Sequence, residues 1–318
     1  MSSSSPTRSR PRRPCQAASV AALFMGLFAA LLTMAPATAV AQQGLRLLLP
    51  PLSSPDQVYA RFQPLAAHLQ QTLGVPVEAR VAGDLESLLR LAREDRPQVA
   101  YLCPLIYTRL ADEGELLPLA RLKRNGKSTF RTAVVVRRNS PYEHLAELKG
   151  ARFAYGNPVC AASRLVPEAM FDQAGVDPRK DFFEERTLGS NENALYTVAA
   201  DLFDATAVDE ASAKPFVERG LLRVLRYSRP IPQYILAASP ATGADLRQRV
   251  RAALTELRRP ADSALLDAIG SDVDGFAATD NADYDIIRDM QRKHGNGDSP
   301  LDILAPQDAP APPDGAER

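Results

Sequence analysis

Residues 148–175 read LKGARFAYGNPVCAASRLVPEAMFDQAG and combine a strand, a tight turn and a helix start. The predicted strand covers residues 152–155, the turn residues 156–158 and the helix residues 161–174, with Gly175 ending the helix. A helix start leaves backbone N–H groups free to point across such a turn. The segment therefore predicts either an anion-binding socket or an ordinary strand-to-helix connection of an α/β domain.

Short apolar strands alternate with amphipathic helices along the rest of the chain. The predicted strands cover residues 45–49, 77–81, 99–102, 131–136, 205–208, 222–225 and 234–238. The predicted helices cover residues 58–72, 84–93, 142–148, 193–199, 211–219, 243–257 and 282–292, with Asp84 as an N-cap. The alternation is typical of an α/β protein with mostly parallel sheets.

The order of these elements predicts two lobes. Residues 42–130 begin lobe 1, residues 131–233 form lobe 2, and residues 234–293 return to lobe 1. The chain would cross between the lobes near Arg131 and near Tyr234, and two crossings form a hinge. A protein of this organisation is expected to close on a ligand between its lobes.

The two ends of the chain differ in composition from the rest. Residues 1–41 contain four arginines and no acid, then an apolar run over residues 20–34 and small residues before Gln42. This pattern predicts a signal peptide, with cleavage after Ala41 or alternatively after Ala39, and hence export to the periplasm; an uncleaved membrane anchor is the other reading. Residues 294–318 are rich in Pro, Ala and Asp, which predicts a disordered tail.

Charge and histidine content exclude several functions. The whole chain has a formal net charge of +0, and the arginines of the leader leave the remainder acidic, which argues against nucleic-acid binding. His68, His144 and His294 lack metal-ligand spacing and lie beside no nucleophile motif. We therefore predict a protein without catalytic residues, metal or cofactor.

Seven fragments of the chain form an ordered set: PLAAHLQQTLGVPVE, VAYLCPLIY, TFRTAVVVRRNSP, LAELKGARFAYGNP, AGVDPRKDFF, DLFDATAVDE and DYDIIRDM. In this order they resemble the periplasmic phosphate/phosphite/phosphonate-binding proteins of ABC transporters. The resemblance implies the type II periplasmic-binding fold, a monomer, a small oxyanion ligand and an ABC permease as partner. It also implies an anion site built from a Ser-Thr-Ser run, a His and two Tyr side chains.

The chain departs from that pattern at most polar positions. Cys160, Ala161 and Ala162 replace the Ser-Thr-Ser run, Asn191 replaces the His, and Phe130 replaces one Tyr. Tyr107 is interpreted as the retained Tyr, and Gln233 or Tyr234 replaces an acid expected to hold a substrate amine. The predicted ligand contacts are Tyr107, Cys103, Phe130, Cys160, Ala161, Ala162, Asn191 and Glu210.

Two cysteines, Cys103 and Cys160, are predicted to face one cleft from opposite lobes. They are inert packed thiols, direct ligand contacts or a disulfide, and the sequence leaves these alternatives open. The predicted function is capture of a phosphonate-, phosphite- or phosphate-like oxyanion for ABC uptake. The first alternative, which resembles arsenite-binding relatives, is a thiophilic oxyanion sensor that acts on a histidine kinase. The second is an exported thiol redox protein or enzyme.

Overall fold

The computed structural model describes residues 44–294. The predicted signal peptide, its cleavage sites and the tail beyond His294 lie outside these residues. The described residues contain thirteen strands, which we number β1 to β13. They are β1 (Leu45–Leu49), β2 (Val77–Val81), β3 (Gln98–Leu102), β4 (Leu117–Arg124), β5 (Thr129–Phe130), β6 (Thr132–Arg137), β7 (Arg152–Tyr155), β8 (Glu184–Thr187), β9 (Ala205–Asp209), β10 (Leu222–Tyr227), β11 (Ile231–Pro232), β12 (Ile235–Ala238) and β13 (Val273–Ala278).

The same residues contain ten α-helices. They are α1 (Pro55–Leu73), α2 (Leu85–Ala92), α3 (Pro104–Asp112), α4 (Leu165–Gln173), α5 (Pro178–Asp181), α6 (Asn191–Ala199), α7 (Glu210–Glu218), α8 (Ala244–Thr255), α9 (Ser263–Ile269) and α10 (Asp285–His294). Local signals explain several boundaries. The carboxylate of Asp84 accepts a hydrogen bond from the amide of Ser87 and caps α2 as predicted, and Gly74 ends α1 at a left-handed φ of 67°.

The strands form two main sheets, which confirms the α/β class. The six-stranded sheet has the order β13-β4-β12-β3-β1-β2, and the five-stranded sheet has the order β10-β6-β9-β7-β8. β1 pairs in parallel with β2 and β3, but β12 pairs antiparallel with β3 and β4. Likewise β7 pairs in parallel with β8 and β9, whereas β6 pairs antiparallel with β9 and β10. The sheets are therefore mixed, because strands that border the crossings run against their neighbours.

The two crossings between the sheets run side by side. β5 and β11 form a two-stranded antiparallel ribbon in which Ile231 pairs with Phe130 and Pro232 with Thr129. The predicted crossings near Arg131 and Tyr234 flank this ribbon. A short ribbon of this kind can bend through a few backbone dihedral angles, so it provides the hinge that a two-lobed fold needs.

The predicted helix over residues 161–174 is wrong in its first turn. A short 3₁₀ turn covers Ala161–Ser163, and α4 begins only at Leu165. Arg164 separates them with non-helical φ and ψ angles of −135° and −68°. Its guanidinium lies 4.1 Å from the centre of the Tyr155 ring and 2.7 Å from the Glu168 carboxylate. These two contacts stabilise the break.

Apolar packing is continuous between the two sheets. One buried cluster includes Leu102 of β3 and the following Cys103. It also includes Phe153 of β7 and Cys160, which follows that strand. A second cluster packs α1 and α8 against the six-stranded sheet, and a third lies within the other lobe. Among residues 44–294, no helix has both the length and the apolar character of a membrane span.

Candidate functional site

A cleft of about 1080 Å³ lies between the two lobes. Its lining comes from both sides, with Tyr101 and Tyr234 from the first lobe and Cys160, Asn191 and Asp209 from the second. Tyr101, Asp209 and Tyr155 lie at or near the carboxyl ends of β3, β9 and β7. The site therefore lies at the strand ends where open α/β sheets bind their ligands.

The first lobe contributes a tyrosine hydroxyl beside two guanidinium groups. Tyr101 is only 3% exposed and lines the cleft, and its hydroxyl lies within hydrogen-bond reach of the Arg124 guanidinium. Burial raises the pKa of Tyr101 to about 12, and the nearby guanidinium groups of Arg124 and Arg61 partly oppose that rise. The hydroxyl thus stays protonated at neutral pH and is available as a donor next to positive charge.

Tyr234 lies next to Tyr101, on the side that faces the second lobe. Its ring stacks on that of Tyr101, with centroids 5.3 Å apart and an interplanar angle of 20°. Burial raises the pKa of Tyr234 well above its usual value, and the nearness of Cys160 and Cys103 raises it further. Tyr234 therefore lies beside both thiols and keeps its proton.

On the opposite side, Asn191 holds the turn after β7. Its side-chain Oδ1 accepts hydrogen bonds from the Asn157 amide at 3.0 Å and from the Ser163 hydroxyl at 2.7 Å. Its Nδ2 donates to Asp209 at 3.3 Å. A Cβ atom at Gly156 would collide with Oδ1 of Asn191, which explains the glycine in this turn. Asn191 thus lines the cleft and also positions the turn.

The predicted socket residues are divided between the cleft and the interior. Cys160 lines the cleft, whereas Ala161 and Ala162 are fully buried and are absent from its lining. The Cys160 carbonyl accepts from the amides of Ser163 at 3.0 Å and Arg164 at 3.2 Å. The amides of Ala161 and Ala162 have no backbone acceptor in the described part of the chain. The Ala162 amide instead points to the Cys160 sulfur and partly opposes the rise in the pKa of that thiol.

Both described cysteines, Cys103 and Cys160, are free and buried. The thiol of Cys103 donates to the Val159 carbonyl at 3.2 Å, although Cys103 itself does not line the cleft. Burial, together with the nearby Cys160, raises the pKa of Cys103 to about 12. The pKa of Cys160 is also raised by burial. Both sulfur atoms are therefore protonated thiols at neutral pH in this conformation.

Tyr107 lies outside the cleft lining, unlike its predicted role. It belongs to α3, and its hydroxyl donates to Asn281 Oδ1 at 3.0 Å. Its ring packs edge-on against Tyr284, whose own hydroxyl donates to the Gln233 carbonyl at 3.0 Å. Tyr107 therefore supports the segment that carries Tyr234 rather than facing the cavity.

Phe130 and Glu210 line the cleft next to the hinge. Phe130 is buried and belongs to β5. Glu210 forms an ion pair with Arg131 at 2.8 Å and also accepts from the Arg131 amide at 3.3 Å. Phe130 thus provides an apolar wall, while Glu210 is already engaged at the first crossing. Within residues 44–294, no group of three or more His, Cys, Asp or Glu side chains has the arrangement of a metal site.

Sequence reasoning missed the cationic side of the cleft. Arg61, Arg124 and Lys127 all line it. Arg124 pairs with Asp272, but Arg61 and Lys127 form no ion pair with an acid in the described region. Only Tyr101 had a local signal, since it ends a buried strand just before the predicted ligand-facing segment. Arg61 lies on α1 at a position without a motif. Lys127 lies in the turn before β5, within Gly126-Lys127-Ser128, which imitates the end of a phosphate-binding loop but from the sequence is interpreted as a solvated turn.

The profile of the family described as "ABC transporter, phosphonate, periplasmic substrate-binding protein" matches residues 47–284. The chain belongs to this family. Its members are substrate-binding transport proteins of the periplasm rather than enzymes, and the chain accordingly has the two-lobed type II periplasmic-binding fold.

Solved structures support the same fold assignment. PhnD1 from Prochlorococcus marinus, solved with methylphosphonate, has a TM-score of 0.68 and 18% identity, covering 80% of this chain and 99% of its own. A binding component of a Pseudomonas aeruginosa ABC phosphonate transporter has a TM-score of 0.65 and 19% identity over 78% of this chain and 86% of its own. A Xanthomonas citri protein bound to ATP has a TM-score of 0.64 and 20% identity, covering 78% of this chain and 99% of its own. At these identities the similarity shows the fold alone.

Proposed function

We propose that this family member captures a small phosphonate-like oxyanion in the interlobe cleft and delivers it to an ABC permease. The observation that carries the proposal is the Tyr101 hydroxyl, which is protonated and close to the Arg61 and Arg124 guanidinium groups. Because Arg124 can only donate to this hydroxyl, the O–H of Tyr101 stays available as a donor. Hydrogen bonds from such donors to a charged oxygen are stronger than those between neutral groups. Methylphosphonate, with which the Prochlorococcus protein was solved, supports the same ligand class.

Two cationic side chains on the first-lobe side of the cleft, Arg61 and Lys127, favour an anion at that end. Arg61 and Lys127 have no acidic partner in the described chain, so a bound oxyanion would supply the missing negative charge. Among the acids at the other side, Glu210 pairs with Arg131 and Asp209 caps α7 through Ser212. Glu192 also lines that side and forms no ion pair within the described residues, so it would repel an anion. We therefore expect the charged oxygens of the ligand to lie toward Tyr101.

The remaining end of the ligand would face the second lobe. Cys160 and Asn191 line that side, and Phe130 closes the hinge end with an apolar surface. The amides of Ala161 and Ala162 would become donors to the ligand only after Cys160 moves, because both residues are buried. Tyr107 and Cys103 act from behind the cleft surface in this proposal.

The partner and the location follow from the family. Its description names an ABC transporter, which favours a permease over a sensor kinase as the partner. We further propose that residues 1–41 direct export and are removed after Ala41, with Ala39 as the alternative site. Mass determination of the N-terminus of the secreted protein tests this directly, and a retained leader would contradict it.

A thiophilic oxyanion such as arsenite is the second candidate ligand. It is favoured by Cys103 and Cys160, which are free, buried and close enough to affect each other's ionisation. Soft ligands of this kind bind thiolates. Each As–S bond would form with loss of water, in which an arsenite hydroxyl takes up the thiol proton. Both thiols are buried, so the lobes would have to open before arsenite could reach them.

Calorimetric titration of the secreted protein tests both candidates. The panel is methylphosphonate, phosphite, phosphate, ATP and arsenite, with thermal unfolding as a second readout because a ligand stabilises the state it binds. Methylphosphonate or phosphite is expected to bind most tightly. Arsenite binding that disappears in Cys160→Ser would favour the second candidate. Absence of heat and of a thermal shift with every compound would overturn the proposal.

Arg61→Ala tests the cationic side of the site. Loss of a charged donor is expected to weaken methylphosphonate binding by about tenfold to a hundredfold, the equivalent of roughly 1.5–3 kcal/mol. Arg90→Ala is a matched control, because Arg90 is an exposed helical arginine whose only ion pair, with Glu86, is long at 3.9 Å. Equal affinity of both variants would contradict an anion at this end of the cleft.

A further inference from the structure

Cys103 and Cys160 lie on opposite lobes. Cys103 follows β3 of the six-stranded sheet and precedes α3, and Cys160 follows β7 of the five-stranded sheet. They are 5% and 7% exposed and belong to the same buried cluster. Within the described residues, the backbone joins the two lobes at two crossings, residues 124–132 and 227–235. The two thiols therefore meet across a surface that must separate when the cleft opens.

One hydrogen bond and a shared buried cluster place the two thiols close together. The Cys103 thiol donates at 3.2 Å to the carbonyl of Val159, the residue that directly precedes Cys160. Cys160 acts on the ionisation of Cys103, and both cysteines act on that of Tyr234. All three side chains thus share one small region at the inner edge of the cleft.

We propose that Cys103 and Cys160 form a reversible disulfide that locks the two lobes together. The inference goes beyond ligand capture and takes from the proposed function only the location of the protein, since an exported chain meets oxidising conditions. A bond between these two sulfur atoms would hold the lobes at the geometry of the closed cleft. The locked protein would neither release a bound ligand nor admit a new one.

The chemistry is ordinary thiol–disulfide exchange with a disulfide oxidant. The Cys160 thiolate attacks one sulfur of the oxidant, whose S–S bond breaks and releases one thiolate. The Cys103 thiolate then attacks the Cys160 sulfur of the mixed disulfide and releases the second thiolate. The protein loses two protons and two electrons, and the oxidant is reduced to two thiols that take up both protons.

The conformation of the protein would control this reaction. In the closed form both thiols are buried and protonated, so the oxidant must act when the lobes open at the β5–β11 ribbon. Closure then brings the second thiol to the mixed disulfide. A permanently closed protein would resist oxidation, whereas one that cycles between open and closed forms would be oxidised readily.

The test treats the secreted protein with oxidised glutathione, or with dithiothreitol as the reduced reference. Peptide mapping is expected to find a Cys103–Cys160 link only after oxidation. Without any ligand, hydrogen exchange at residues 156–164 and 103–107 is expected to slow by at least about tenfold, because locked lobes suppress opening. Dissociation of preloaded methylphosphonate is expected to slow by a similar factor.

Cys103→Ser is the control, and it is compared with itself before and after oxidant. Its exchange and dissociation rates should not respond to oxidised glutathione, and reduction of the oxidised wild-type protein should restore its original rates. Failure to form the link, or a link that leaves hydrogen exchange unchanged, would overturn the proposal. The exchange measurement needs no ligand, so it decides the redox lock even if methylphosphonate does not bind.

Discussion

The two sides of the cleft differ in how their functional groups are built. The second lobe presents a backbone turn, in which Asn191 holds residues 156–163 through two hydrogen bonds and is itself held by Asp209 through a third. The first lobe presents side chains from separate elements, with Arg61 on α1, Tyr101 on β3 and Arg124 on β4. A turn is a local structure and can be modified residue by residue. A cluster from three elements depends on the packing of the whole lobe.

Among the variants that test this difference, a substitution of Gly156 is expected to have the largest effect, because it destabilises the turn of the second lobe. A valine side chain there would collide with Asn191, so Gly156→Val should lower the free energy of unfolding by about 3 kcal/mol through overpacking of the turn. Urea unfolding measures this change. Gly83→Ala is the control, since its added Cβ would meet only the Ser87 hydroxyl, at 3.9 Å. A stable Gly156→Val protein would show that the turn is not built on the Asn191 contact.

The reactivity of the Cys103 thiol tests how tightly the two lobes pack against each other. Because burial raises the pKa of Cys103 from 9.0 to about 12, its folded form holds the proton more strongly than the unfolded form. Its contribution to stability is therefore fully present below pH 9.0 and is lost as the pH rises toward about 12. At pH 8, alkylation by iodoacetamide should be roughly a hundredfold slower in the native protein than in urea. Similar rates in both states would mean that the lobes are largely open in solution.

Tyr101→Phe is expected to have the smallest effect and is the most specific test of the first lobe. It removes one hydroxyl and keeps the ring that stacks on Tyr234. Affinity for methylphosphonate should fall by about three- to tenfold, as for one hydrogen bond, with little change in stability. Tyr59→Phe, at an exposed position, should change neither. Unchanged affinity in Tyr101→Phe would assign the anion to the second lobe instead.

The contrast also explains which parts of the site could be predicted. The turn at Gly156 and the helix cap at Asp84 depend on neighbours a few residues away, and both were predicted correctly. β4 and β13 were missed because Leu117–Arg124 is rich in charged residues and Val273–Ala278 contains Gly275. β4 pairs with β12, and β13 pairs with β4. These pairings override the weak β-propensity of both segments.

Tyr107 illustrates the limit for side-chain roles. It follows β3 on a helix that was not predicted, and the helix directs its hydroxyl to Asn281 rather than to the cleft. Tyr101 lies at the end of the strand itself and reaches the cleft. The two tyrosines differ in direction because Tyr101 lies on the cleft-facing side of β3, whereas Tyr107 lies on α3, which begins at Pro104. Arg61 lies on α1, and its approach to Tyr101 depends on tertiary packing alone.

The position of β12 has a consequence for biosynthesis. This strand lies between β3 and β4 in the middle of the six-stranded sheet, yet it is made after the entire second lobe. The first sheet therefore stays split until the final quarter of the chain has left the ribosome, whereas the strands of the second sheet are contiguous. A chain that cannot finish its first lobe early would stay unfolded long enough to pass through a secretion channel.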